Sequence, residues 1–367
     1  MRRNFLVHTP GPFVGALLLV LTIAAAARAE WVTQPSGTSV RLRGVSAVNS
    51  RVAWASGDKG TFARTIDGGR TWTASTVPGA AELDFRDVDA FDAETAYLLS
   101  IGEGDKSRIY KTTDGGRRWE LQFKSARAAA FFDSMAFWDR DHGIAVSDPV
   151  GGRFLIIQTS DGGRTWEETP VEGMPPALEG EGAFAASGTC VAVEGRTNVW
   201  FATGGPNGAR VFRSTDRGRT WAAAATPIVS GKNAGVFSIT FWDASRGVVV
   251  GGDYTKEGEA GSNAAVTTDG GRTWAAIKGP GPNGYRSCVV FVPGTGARGT
   301  PTLFAVGPNG SEYSTDGGQT WTSIGTGGYH SADFAGKKNA GWAVGERGVI
   351  AKYNGTVRDK PKTQATH

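Results

Sequence analysis

One nine-residue string recurs six times along this chain of 367 residues and restricts its fold more than any other feature. The copies are RTIDGGRTW (64–72), KTTDGGRRW (111–119), QTSDGGRTW (158–166), RSTDRGRTW (213–221), VTTDGGRTW (266–274) and YSTDGGQTW (313–321). Their aspartates, Asp67, Asp114, Asp161, Asp216, Asp269 and Asp316, are separated by 47, 47, 55, 53 and 47 residues. That spacing is the length of one four-stranded propeller blade. The 54 glycines and 12 tryptophans fit many short strands joined by tight turns.

Each residue of the string has a physical task. The aspartate accepts hydrogen bonds from its own turn. The glycines supply positive φ in a tight hairpin. The tryptophan begins the next strand and fills the gap between neighbouring sheets. The pattern resembles the Asp-box repeat, S/T-x-D-x-G-x-T-W, of sialidases, related glycosidases and non-catalytic propellers. The fourth copy carries Arg217 in place of the first glycine, so a distorted turn is expected there. Six aspartates on six blades cannot converge on one ion, so their role is structural and no metal site is assigned to them.

Strands read outward from the boxes. In the second blade they are DFRDVDAF (84–91), TAYLLSI (95–101) and RIYKTT (108–113), with a fourth after Trp119. A seventh unit without a box follows Trp321: GYHSADFA (328–335), GWAVGE (341–346) and VIAKYN (349–354). It has three strands. The lone strand WVTQPS (31–36) is expected to supply the fourth and close the ring, hiding the edges an open array would expose. The reading is all-β: residues 30–355 form a single seven-bladed β-propeller of four-stranded antiparallel blades. Residues 356–367 are a polar tail expected to be disordered. The segments 42–72 and 341–355 also resemble the photosystem II assembly and stability factor family. That resemblance implies an exported propeller with a binding or assembly role and no known catalysis.

Residues 1–29 read as a signal peptide. Arg2 and Arg3 precede the apolar run 14–27, and Ala27-Arg28-Ala29 is a small-x-small cleavage site. The opening RRNFL also matches twin-arginine export. A periplasmic or secreted protein is expected, with no membrane span once the leader is gone and as a monomer. Removing the leader's Arg2, Arg3 and Arg28 leaves 36 basic against 35 acidic residues, which gives nucleic-acid binding no support. Cys190 and Cys288 are the only cysteines and fall on non-neighbouring blades, so free buried thiols are expected. With four histidines, two of them near the termini, neither a thiolate cluster nor a multi-histidine metal centre is expected, and no cofactor is assigned. GTGARG (294–299) matches the dinucleotide fingerprint but lacks the helix that would hold a phosphate.

A binding site is expected at one mouth of the central channel. There the starts of the innermost strands meet the ends of the second strands. Aligned on their first core residue, the innermost strands carry Arg43, Arg86, Asp133, Phe237, Arg286 and His330 two places earlier. Blade four aligns poorly. The ends of the second strands add Asp58, Glu103, Asp148, Asp253, Tyr254 and Glu346, and the link 179–184 adds Glu179 and Glu181. Arg43, Arg86 and Arg286 can clamp a carboxylate through their guanidinium forks. A protein partner or a small acidic ligand fits such a mouth, as does a rim of internal ion pairs. The alternative is a sialidase-like or other Asp-box glycoside hydrolase, with Tyr254 or Tyr285 as nucleophile and two mouth carboxylates as acid and base. Against it, Arg43 is followed by Gly44-Val45, not by the Ile-Pro of the sialidase motif. Whether the chain is an enzyme stays open on the sequence, with binding the favoured reading.

Overall fold

A computed structural model describes residues 1, 30–171, 173–295, 300–336 and 340–355. The leader, the C-terminal tail and part of GTGARG lie outside the described residues. Seven four-stranded antiparallel sheets form the blades, each with its strands in sequence order except the last. Blade one comprises Leu42–Ala47, Ala53–Gly57, Thr61–Thr65 and Thr73–Thr76. The innermost strands of the others are Asp84–Ala90, Phe132–Phe137, Val191–Glu194, Ala234–Phe241, Cys288–Val292 and Ser331–Ala335. Both cysteines are free and buried.

The N-terminal strand Trp31–Gln34 is the outer strand of blade seven, paired antiparallel with Ile350–Tyr353. Trp31 packs among Phe304, Tyr329, Phe334 and Tyr353 at 5.5–6.1 Å. Gln34 Oε1 accepts from the indole N–H of Trp72 in blade one and of Trp342 in blade seven, at 3.0 and 3.2 Å. The first and last described strands thus meet in one sheet.

The box turns behave as their sequence requires. Asp67 Oδ1 accepts from Thr71 N at 3.0 Å and Oδ2 from Thr71 Oγ1 at 2.6 Å, while Gly68 and Gly69 take φ of 80° and 83°. In the fourth copy Arg217 adopts φ 60°, and Asp216 keeps its bonds to Thr220 N and Oγ1 at 2.9 and 2.6 Å. The expected distortion is absent, because the arginine accepts the left-handed conformation instead. These turns lie opposite the channel mouth described below. Asp316→Ala should therefore lower the melting temperature by a few degrees and leave vestibule binding unchanged, as calorimetry and titration would show.

Blade four departs from the pattern. Its innermost strand is cut to Val191–Glu194, and residues 183–189 leave the sheet to cross the channel. This plug bonds to every other blade. Arg43 and Arg86 donate to Ala186 O and Ala185 O at 2.6 and 2.8 Å. Ser134 donates to Gly188 O at 2.8 Å, and Ile239 N to Thr189 O at 2.9 Å. Ser187 donates to Ser287 O at 2.7 Å, and Ser331 to Ser187 O at 3.1 Å. Inner-strand side chains satisfy the carbonyls of Ala185, Ala186, Ser187 and Gly188, as the backbone of a buried loop requires.

Candidate functional site

The plug divides the channel into two chambers. Above it is a vestibule of about 490 Å³, lined by residues 183–186 and by side chains of blades one to three and five to seven. Below it is a chamber of about 190 Å³, lined by Ser187, Gly188 and Thr189 together with Asp87, Asp89 and Asp333.

Four β-bulges aim side chains at the vestibule. The register of the innermost strand slips at Arg43 in blade one, Arg86 in blade two, Asp133 in blade three and Phe237 in blade five. A bulge re-aims the residue it carries, often beside a functional site. All four line the vestibule, together with Arg41, Asp148, Tyr254, Tyr285 and His330.

Arg286 does not join them. The innermost strand of blade six begins at Cys288 and pairs without a slip. Arg286 turns into its own blade, 1% exposed, and forms a fork with Glu312. The expected three-arginine clamp of Arg43, Arg86 and Arg286 is therefore not assembled. Three other expected residues also lie elsewhere. Glu181 is buried against Arg210, and Asp253 is bonded into its own turn through Thr255. Glu103 lines a groove beside the vestibule. Arg41 was the omission. It sits just ahead of the bulge that turns Arg43 and lines the vestibule with it.

The walls differ chemically. On one side Arg41 is forked onto Asp58 at 3.0 and 3.1 Å, and Arg86 bonds Asp84 at 2.7 Å. Arg43, 8% exposed, has no carboxylate partner and its buried Nε makes no hydrogen bond among the described residues. Burial, followed by the charges of Arg86 and Arg41, pulls Arg43 down to about 10, so it stays cationic at neutral pH. Burial likewise lowers His330 to about 4, with Arg43 adding to the effect. His330 is therefore neutral beside Glu346, 2.8 Å away. The opposite wall is aromatic: Phe184 stacks on Phe237 at 4.0 Å, and Tyr285 meets Phe237 edge-on at 4.7 Å. On blade three, burial raises Asp133 well above the carboxylate range and Asp148 to about 6, and Asp133 also feels the charge of Asp148. Asp133 Oδ2 is buried without a hydrogen bond.

The acids of the lower chamber shift the same way. Burial lifts Asp87 and Asp89 to about 7 and Asp333 to about 6. A carboxyl raised on folding stabilises fully below its unfolded value near ~4, and that contribution is lost as pH rises through its folded value. Box aspartates act oppositely: hydrogen bonds from Thr71 and Thr165 hold Asp67 and Asp161 at about 2, so their contribution fades only in stronger acid. His330, lowered on folding, loses its contribution as pH falls below ~6.5, which offsets one acid of five. The melting temperature should be higher at about pH 5 than at about pH 8. A scan that rises or stays flat across that interval would contradict these protonation states.

Among the described residues, no group of three or more histidine, cysteine or acidic side chains is arranged to hold a metal ion, and no helix is long and apolar enough to cross a membrane.

The BNR/Asp-box repeat family matches residues 312–323. Its match falls on the sixth box, where Asp316 accepts from Thr320 N and Oγ1 as Asp67, Asp161, Asp216 and Asp269 do from their threonines; in the second box Arg118 replaces the threonine and gives Asp114 its backbone N–H. The chain is a seven-bladed propeller carrying Asp-box repeats, and it resembles YCF48 in fold. YCF48 bound to D1 peptide superimposes with a TM-score of 0.62 at 16% identity, covering 90% of this chain and 98% of that one. YCF48 from Cyanidioschyzon merolae gives 0.60 at 17% identity, covering 88% and 98%. The WD40 β-propeller domain of Doa1 gives 0.60 at 12% identity, covering 90% and 97%. At these identities the likeness is one of fold. No curated protein matches the sequence.

Proposed function

We propose that this protein is an exported, non-catalytic scaffold that holds a segment of a protein partner in the vestibule. The observation that carries the reading is the vestibule itself. It is a blind hollow with an aromatic wall facing a buried arginine that lacks a counter-charge, a combination suited to a peptide's apolar side chains and polar ends. YCF48 has been solved with a D1 peptide, which supports peptide binding as a use of this fold. Export rests on the leader at residues 1–29. Hydrolysis of an acidic sugar is less well supported. Two of the vestibule guanidiniums are already neutralised by Asp58 and Asp84, and the third expected arginine is spent on Glu312.

Site-specific photocrosslinking tests the reading. A benzophenone side chain at Tyr254, 45% exposed at the vestibule, should crosslink a partner in cell-envelope extracts. The same group at Ile66, exposed on the box face, should not. Adducts only at Ile66, or turnover of chromogenic sialosides lost on Asp148→Asn, would replace the scaffold reading.

A further inference from the structure

We infer that the vestibule takes the free carboxyl terminus of a peptide and that basic residues just upstream of that terminus lie in an adjoining acidic groove. The inference rests on the scaffold reading and specifies which part of the partner is held.

Three observations carry it. The first is the dead end. Residues 183–186 form the vestibule floor and are bonded to the blades around them, so a chain that enters cannot thread through the ring. It must end there or turn back. The second is the unmatched charge. Arg41 and Arg86 each have a carboxylate partner, whereas Arg43 spends only Nη2, on Ala186 O. A buried guanidinium with an unpartnered Nε lacks an anion, and a carboxylate matches its fork. A chain amine would find a poorer partner, because burial raises Asp133 well above the carboxylate range and weakens its negative charge.

The third is the way out. A groove lined by Glu103, Asp148, Glu179 and Glu181 joins the vestibule at Phe131 and Asp148, which line both hollows. All of its charged lining residues are acidic. Glu181 is matched by Arg210, while Glu103 and Glu179 are exposed and form no ion pair among the described residues. A chain leaving the vestibule along this groove meets negative charge, so lysine or arginine there is favoured and aspartate or glutamate is disfavoured. The aromatic wall of Phe184, Phe237 and Tyr285 suits an apolar last residue.

Isothermal titration with three synthetic peptides tests this: N-acetyl-Lys-Lys-Gly-Phe with a free carboxylate, the same peptide amidated, and N-acetyl-Glu-Glu-Gly-Phe with a free carboxylate. Amidation should weaken binding about tenfold or more, as should the exchange of lysines for glutamates. Arg43→Gln should remove the effect of amidation and keep the preference for lysine. Glu103→Gln combined with Glu179→Gln should do the reverse. Melting curves check that each variant is folded, and the comparison of peptides on the unaltered protein needs no variant. Equal binding of acid and amide would overturn the chain-end assignment and leave a peptide-binding vestibule. Indifference to lysine against glutamate would overturn the groove. Binding of none of the three, with a Tyr254 crosslink still formed, would overturn the inference alone. Loss of the crosslink as well would remove the scaffold reading with it.

Discussion

A chain lacking residues 30–37 is expected to lose its cooperative thermal transition or to melt far below the intact protein, and to self-associate. Among the described residues, only the strand Trp31–Gln34 covers the outer edge of blade seven. Its removal frees the backbone of Ile350–Tyr353, and an unpaired edge is a template for pairing with other chains. Trp31 leaves a gap among four aromatic rings, a loss on the scale of about 3 kcal/mol or more for a packed tryptophan. Gln34 is lost as well, and its carbonyl ties Trp72 of blade one to Trp342 of blade seven. The seam between first and last blades then opens on both sides. Calorimetry and size-exclusion chromatography of the truncated protein give the readout. A monomer that melts with the full chain would mean that the ring does not depend on this closure.

The same seam shows why so much of the fold could be read in advance. Each box turn fixes where its blade's third strand ends and fourth begins, because the aspartate's bonds and the positive φ of the turn residues fit one hairpin geometry. Six such anchors leave little freedom for the strands between them. Blade four escaped because it breaks the rule between anchors. Residues 183–189 have the polarity of an inner strand, yet they bond to six other blades instead of pairing in their own sheet. No local pattern announces that.

The site was legible in part for a related reason. Polar residues two places ahead of the core in an inner strand are out of place in a buried sheet, and at Arg43, Arg86 and Asp133 a bulge resolves the conflict by turning the side chain into the vestibule. Arg286 occupies the equivalent position in blade six, but without a bulge it has a different route. Its partner, Glu312, lies on the third strand of that blade, and nothing in the alignment of inner strands brings the two together. Equivalent position predicts equivalent direction only where the backbone deforms in the same way.

Glu312→Ala should therefore be among the most damaging single changes outside the channel. The Arg286 guanidinium makes five hydrogen bonds: two to Glu312, and one each to Tyr285 O, Asn309 Oδ1 and Asn283 O. Both members of the pair are almost wholly buried. Removing the carboxylate leaves a guanidinium that cannot shed its proton and has no route to water, a situation that costs about 3–5 kcal/mol. Arg286→Ala is expected to destabilise as well, because it leaves the Glu312 carboxyl buried without its partner. Replacing both together, Arg286→Met with Glu312→Leu, should recover much of the loss, since apolar groups of similar volume often substitute for a buried pair at little cost. Urea unfolding of the three variants measures each quantity. A Glu312→Ala protein as stable as the original would show that the pair is solvated and that Arg286 is free to serve the vestibule after all.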